Sequence, residues 1–214
     1  MPTDISKLRQ NYSLQTLSVK DILHNPIEQF AKWFQEAMDS QILEPNAFTL
    51  ATANKEGKPS ARTLLLKGFD KEGFVFFTNY ESRKAEDLLQ NPKAAMLFTW
   101  LDLQRQIRIE GDIEKVSQEE SEEYFQSRPR GSQIGAWSSP QSQSIESREV
   151  LESNQKMMEE KFSGLEKLPV PPFWGGYRVR PNWFEFWQGR ESRLHDRIVY
   201  ALQNGNWEIG RLAP

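Results

Sequence analysis

The sequence predicts an α+β fold, a mostly antiparallel β-barrel with helices. Three observations carry that expectation. Short segments rich in Val, Ile, Phe, Thr and Leu recur along the chain, separated by turns containing Gly, Pro or Asn. Helical periodicity is confined to a few insertions and never alternates regularly with strands, so a doubly wound parallel sheet is not expected. The last two strand signals flank Asn204-Gly205, a dipeptide suited to a two-residue hairpin turn.

The elements follow in order. Residues 1–24 are polar and without period, and are expected to form a mobile arm before one domain over 25–214. Asn25 caps a helix that has Pro26 in its first turn. Ile27, Phe30, Ala31, Phe34, Ala37 and Met38 give it one apolar face. Residues 47–53, 60–67 and 74–79 read as a meander with turns at NKEGKP and FDKEG. Ser82 is a candidate N-cap for a short helix stopped by Pro92, and residues 93–101 and 104–116 read as two further strands. Ser117 and Glu120 form a capping box for a helix that Arg128-Pro129-Arg130-Gly131 ends. Residues 131–146 look like loop, residues 147–162 like helix, and residues 168–172 (LPVPP) like a stiff connector. Strands return at 174–181, 182–189, 197–202 and 207–212.

Composition narrows the function. With 27 Lys and Arg against 30 Asp and Glu, the net charge of −3 gives no basic field for nucleic acid or a membrane surface. The arginines are nevertheless gathered in patches, which suits a small anion. The absence of cysteine excludes disulfides, thiolate nucleophiles, iron–sulfur clusters and Cys-ligated zinc. Two histidines make a His-rich metal site unexpected, so no metal is expected. The first residues lack the apolar core of a signal peptide, and no apolar run reaches membrane-spanning length, so a soluble cytoplasmic protein is expected.

Several constellations suit anions. Arg193, His195 and Arg197 alternate, so an extended backbone would send all three side chains to one face. Trp183, Glu185 and Trp187 make a similar set upstream. An aromatic, anionic ligand fits this layout, and so does a solvated edge strand. Arg62 and Lys67 bracket a leucine-rich strand. Arg83 and Lys84 follow Ser82 at a helix start, where cations oppose the macrodipole unless an anion binds; a solvated cap is the alternative. Tyr124 and Arg128 stand one helical turn apart with Ser132 just beyond, together a set of phosphate donors. Gln106 shares a strand face with Arg108, and Gln141-Ser142 lies in the Ser-rich stretch. No Walker loop, GxGxxG or GxSxG motif is present, which shifts the chemistry onto an organic cofactor.

RTLLLK (62–67), FFTNYESRK (76–84), RQIRIEG (105–111), YFQSRPRGSQIGAW (124–137), FWGGYRV (173–179), FEFWQG (184–189), RLHDR (193–197) and the closing RLAP resemble the pyridoxamine 5′-phosphate oxidase family, in order and over nearly all the chain beyond the arm. The resemblance implies an FMN-binding split barrel and a homodimer. It also implies oxidation of pyridoxamine and pyridoxine 5′-phosphates to pyridoxal 5′-phosphate, with O2 reduced to H2O2. By motif match, FMN meets Arg62, Thr63, Leu64, Leu65, Leu66 and Lys67 on one strand. It also meets Phe77, Thr78, Arg83 and Lys84, and further along Gln106, Gln141, Ser142, Trp187 and Arg197. The substrate meets Lys67, Tyr124, Arg128 and Ser132, then Arg193, Leu194 and His195, with Arg9 and Tyr12 closing from the arm. The implied catalytic residues are Arg193, His195 and Arg197. The arm reads RQNY and matches the family's basic-and-Tyr pattern only loosely, and Phe77 stands where some members have Tyr. A carrier that binds FMN or pyridoxal phosphate without turnover, a flavin reductase on the same barrel, and a structural barrel with arginine patches for partner contacts are the alternatives.

Overall fold

Asn25 does what its position predicts. Its Oδ1 accepts the backbone N–H of Ile27 at 2.9 Å, starting helix α1 (Pro26–Asp39). In the computed structural model, which describes residues 10–214, four more helices follow: α2 (Arg83–Gln90), α3 (Gln118–Ser127), α4 (Arg130–Ser138) and α5 (Arg148–Lys161). The strands are β1 (Ala47–Ala53), β2 (Pro59–Leu65), β3 (Gly68–Asp70), β4 (Gly73–Asn79), β5 (Lys93–Trp100), β6 (Arg105–Lys115), β7 (Trp174–Gln188), β8 (Asp196–Gln203) and β9 (Asn206–Arg211). Their order is β2-β1-β5-β6-β7-β4-β3, with β8 beside β7 and β9 beside β8. The class is α+β, as the sequence predicts.

The chain forms two compact units. One comprises Met1–Thr49, Ala95–Glu110 and Pro181–Pro214; the other comprises Leu50–Ala94 and Gly111–Arg180. In the first, α1 buries Phe30 and Trp33. Phe30 meets Phe98 edge-on at 5.1 Å, and Trp33 meets Phe186 at 5.2 Å. Residues 183–188 of β7 pair antiparallel with β8, setting Trp187 opposite Arg197, and β8 pairs with β9 through the expected turn. Asn204 and Gly205 both adopt positive φ (50° and 82°), which that two-residue turn requires.

Residues 10–24 have no regular helix or strand, but they are tied to this unit. Gln104 Oε1 accepts the N–H groups of Ser13 (3.0 Å) and Leu14 (3.3 Å), Arg105 donates to Gln15, and Tyr200 donates to the carbonyl of Leu23 at 2.7 Å. The arm expected over 1–24 falls partly on residues 1–9, outside the described residues; so does Arg9.

In the second unit β4 lies between β3 and residues 174–179 of β7. A core of Phe125, Ile134, Phe162, Leu168 and Trp174 joins the helices to the sheet. Gly176 permits close packing there, because a Cβ would stand 2.6 Å from Val116 Cγ2 and 2.8 Å from Phe77 Cε1.

Four expectations are corrected. Residues 131–146 are not all loop, since Arg130–Ser138 is helix α4. Its glycines and serines disguised a segment that buries Ile134 and Gln133, whose side chain donates to the carbonyl of Phe125 at 2.9 Å. The segments 174–181 and 182–189 are one 15-residue strand, β7, running through Pro181. Phe69 and Asp70, expected within the FDKEG turn, belong instead to the short strand β3 (Gly68–Asp70). Residues 191–197 are not extended throughout. Glu191–Arg193 is a 3-10 turn with Ser192 and Arg193 at φ 55° and 62°, and β8 begins only at Asp196. The one-face argument for Arg193, His195 and Arg197 therefore fails.

Candidate functional site

The second unit holds a cavity of about 470 Å³ lined by Leu64, Leu65, Lys67, Phe77, Thr78, Lys84, Tyr124, Arg128, Ser132 and Gln141 among the expected residues. Asn79, Pro129 and Trp174 complete it. Five stretches distant in sequence build this wall: the end of β2, β4 with the turn into α2, the α3–α4 corner, Gln141 after α4, and Trp174 at the start of β7.

Lys84 enters from the first turn of α2. It is buried, and its Nζ donates to Gln141 Oε1 (2.7 Å), Thr78 Oγ1 (3.0 Å) and Ser82 Oγ (3.0 Å). None of these acceptors carries a charge. Burial, and secondarily the nearby Arg62, pull the Lys84 ammonium down to about 8. Ser82 does not cap α2 with its side chain; its hydroxyl donates instead to the Asn79 carbonyl at 2.7 Å. A buried ammonium, hydroxyls and a helix start form a donor set for an anion.

At the α3–α4 corner Tyr124 stacks on Phe77, with centroids 4.0 Å apart, and Phe77 stacks on Trp174 at 5.4 Å. The Arg128 guanidinium lies 4.9 Å from the Trp174 ring. Arg128 is the C-cap of α3 with extended φ/ψ, so it is not on a helical face with Tyr124 as the spacing predicted; the backbone turn brings the two to one cavity. Its Nη1 is buried without a hydrogen-bond partner among the described residues, and burial lowers its pKa. A desolvated, unpaired guanidinium nitrogen is costly unless an acceptor meets it. Ser132 lies in the first turn of α4 on the same cavity.

Other expected residues stand apart from this lining. Arg62 donates to Thr52 Oγ1 (2.8 Å), the Leu50 carbonyl (3.2 Å) and Ser60, and lies 3.8 Å from Asp87 Oδ2. Leu66 is in the core, and Thr63, Arg83 and Ser142 are exposed.

The first unit holds a second cluster. Gln10, Asn11, Tyr12, Arg190, Ser192, Arg193 and His195 line a cavity of about 500 Å³. His195 lies 4.5 Å from Trp187 between ring centroids, and its Nδ1 accepts the N–H of Arg190 at 3.1 Å. That bond leaves the proton of a neutral imidazole on Nε2. Burial and the neighbouring Arg193 lower the His195 pKa, favouring this neutral form. Leu194 is exposed. On β7 and β8, buried Glu185 accepts Arg197 Nε at 2.5 Å and Arg108 Nη1 at 3.1 Å. The bond to Glu185 raises the pKa of Arg197. Gln106 is half-buried on β6, two residues before Arg108.

The sequence reading missed Trp174, Asn79, Arg190 and Asp196, and gave Glu185 no role. Glu185 carried a usable signal, a carboxylate placed between two Trp at alternate positions of an apolar strand.

Residues 34–160 match the family model described as pyridoxamine 5′-phosphate oxidase, and residues 174–214 match the pyridoxine 5′-phosphate oxidase C-terminal dimerisation region. Curated proteins named pyridoxine/pyridoxamine 5′-phosphate oxidase are similar along the full chain. The one from Cupriavidus metallidurans is 55% identical, and that from Aliarcobacter butzleri 56%, each over 99% of this chain and 100% of the relative. Among solved structures, PhzG from Burkholderia lata 383, in complex with tetrahydrophenazine-1-carboxylic acid, superposes with TM-score 0.88 at 29% identity, over 94% of this chain and 100% of that one. A pyridoxamine 5′-phosphate oxidase-related, FMN-binding protein from Nostoc punctiforme shares the fold at TM-score 0.71 and 18% identity, over 90% of this chain and 100% of that one.

Proposed function

The chain belongs to the pyridoxamine 5′-phosphate oxidase family, and on that premise we propose that it is an FMN-dependent oxidase, working as a homodimer, that converts pyridoxamine and pyridoxine 5′-phosphates to pyridoxal 5′-phosphate. One observation supports this reading above the others. The Arg128 guanidinium is desolvated with an unpartnered nitrogen, in a cavity that also presents Lys67, Tyr124 and Ser132. This donor set suits a substrate phosphate, a remote handle whose binding energy positions the reacting carbon. The ligand of the Burkholderia lata structure is a carboxylic acid; a grip with this many donors favours a phosphate here.

The donors around Lys84 fit the cofactor's phosphate, since among the described residues their partners are neutral oxygens. When bound, FMN supplies a hydride acceptor at its N5, and O2 reoxidises it to give H2O2. The chain's residues do the rest by placement. Lys84 and Thr78 hold the cofactor phosphate, with Gln141 orienting the ammonium. Trp187 and Arg197 meet the flavin, with Glu185 fixing the Arg197 guanidinium. Arg193 and neutral His195 orient the pyridine ring, His195 offering Nε2–H to an acceptor. A cytoplasmic location belongs to the same reading; among the described residues no helix is long and apolar enough to cross a membrane.

The test is peroxide release. FMN-loaded protein mixed with pyridoxamine 5′-phosphate should release one H2O2 per pyridoxal 5′-phosphate formed. Yellow protein with no peroxide would support the carrier reading, and protein that takes up no FMN would support the structural one.

A further inference from the structure

Asp196, the first residue of β8, lies at the centre of a polar clamp on the segment before α1. Its Oδ2 accepts the backbone N–H of Leu17 at 3.0 Å and Arg190 Nη1 at 2.9 Å; its Oδ1 accepts Arg211 Nη1 at 2.7 Å. Arg211 completes the clamp by donating from Nη2 to the Leu17 carbonyl at 2.9 Å. Both polar groups of Leu17 are thus held, and its side chain is buried.

Five residues earlier, the Tyr12 ring lies edge-on to Trp187 and tilted to His195, with centroids 5.9 Å away in each case. Gly189 makes room for it, since a Cβ there would stand 2.8 Å from Tyr12 Cγ. Residues 10–17 have no helix or strand hydrogen bonds to hold them in place. Their position rests on this clamp, on Gln104 and Arg105, and on the Tyr12 contact. The clamp reaches His195 a second way. Arg190, fixed by its side chain to Asp196, donates its backbone N–H to His195 Nδ1.

We propose that Asp196 is a positioning residue of the oxidase: by clamping Leu17 and Arg190 it sets where Tyr12 and His195 stand, without touching the substrate itself. This rests on the oxidase reading above. Converting Asp196 to a neutral residue leaves Arg190 and Arg211 as facing cations with no shared anion, so the segment loses its strongest tie.

The test is a double-mutant cycle on the FMN-loaded full chain, with wild type, Asp196→Asn, Tyr12→Ala and the pair, assayed with pyridoxamine 5′-phosphate. Asp196→Asn should raise KM about tenfold with little change in kcat or in bound FMN. Trypsin should cut after exposed Lys20 about tenfold faster, because opening of the segment limits cleavage. The pair should be worse than Tyr12→Ala alone by clearly less than the tenfold of Asp196→Asn, the remainder being the effect carried through Arg190 and His195. Multiplying effects, or unchanged cleavage after Lys20, would overturn the proposal. Should Asp196→Asn fail to fold, Arg211→Gln carries the same cycle, since it removes the bond to the Leu17 carbonyl and keeps the carboxylate. Wild type that forms no product would sink the oxidase reading instead, and cleavage after Lys20 would still decide the clamp.

Discussion

Arg197 and Glu185 form a charged pair at 2.5 Å on adjacent strands, with the carboxylate almost fully buried and shared with Arg108. The register places Arg197 opposite Trp187, so Glu185, two residues earlier, is its diagonal neighbour on the same face. One buried anion thus organises two guanidinium groups. Glu185→Gln keeps the shape and removes the charge, leaving Arg197 without its carboxylate and Arg108 with Glu110 alone. It should cost about 1–3 kcal/mol of stability, discounted for the partial exposure of both arginines. Urea titration checks this; an unchanged midpoint would mean that solvent already screens the pair.

Arg128→Ala removes the guanidinium with the unpartnered nitrogen. KM for pyridoxamine 5′-phosphate should rise more than about tenfold while FMN stays bound. Steady-state kinetics together with the flavin-to-protein absorbance ratio decide it. Loss of flavin instead would move Arg128 to the cofactor's site.

Lys84 at the cofactor phosphate, as proposed, should make FMN affinity depend on pH. Free, its ammonium titrates at about 8, because burial and Arg62 oppose its charge. A phosphate beside it favours the proton, so the bound value lies higher. Between the two values the complex holds more protons than the free protein. Affinity is therefore level below about pH 8 and weakens as pH rises above it, by at most about tenfold per pH unit. Flavin titrations across this range should show the fall in wild type and a flat profile in Lys84→Arg, which keeps its charge. A flat wild-type profile would remove Lys84 from the anion's neighbourhood.

Gly176→Ala tests the packing between β7 and the aromatic wall. The added methyl meets Val116 and Phe77 well inside contact distance. Phe77 is itself stacked on Tyr124 and Trp174, so it yields only by disturbing both. The cost should be about 1–3 kcal/mol, read from thermal or urea unfolding. A neutral substitution would show that the wall shifts freely.

The sequence made the fold legible wherever the signal was local. Asn25 before an apolar period and Asn204-Gly205 between two strands each announce an element without help from distant residues. Helix α4 was illegible because Gly131, Ser132 and Gly135 are poor helix formers, and only packing of Ile134 beside Phe125 and Phe162 outweighs them. Pro181 read as a break, yet β7 runs through it. The 3-10 turn at 191–193 was invisible because it needs positive φ at Ser192 and Arg193, residues that seldom adopt it. In the candidate sites, Tyr124, Arg128 and Lys84 were legible as cations and donors near turns. Trp174 was not, because its part depends on Phe77 and Tyr124, far away in the chain. Asp196 escaped for the same reason, since its partners Leu17 and Arg211 stand near opposite ends of the sequence.

Lys84 has a consequence outside catalysis. A buried ammonium met, among the described residues, by neutral oxygens leaves the folded chain carrying an electrostatic cost, which a bound anion relieves. A ligand that binds only the folded state adds stability in proportion to the logarithm of its concentration. The flavin-free chain should therefore unfold more readily and be degraded faster, tying the amount of this protein in a cell to the flavin supply.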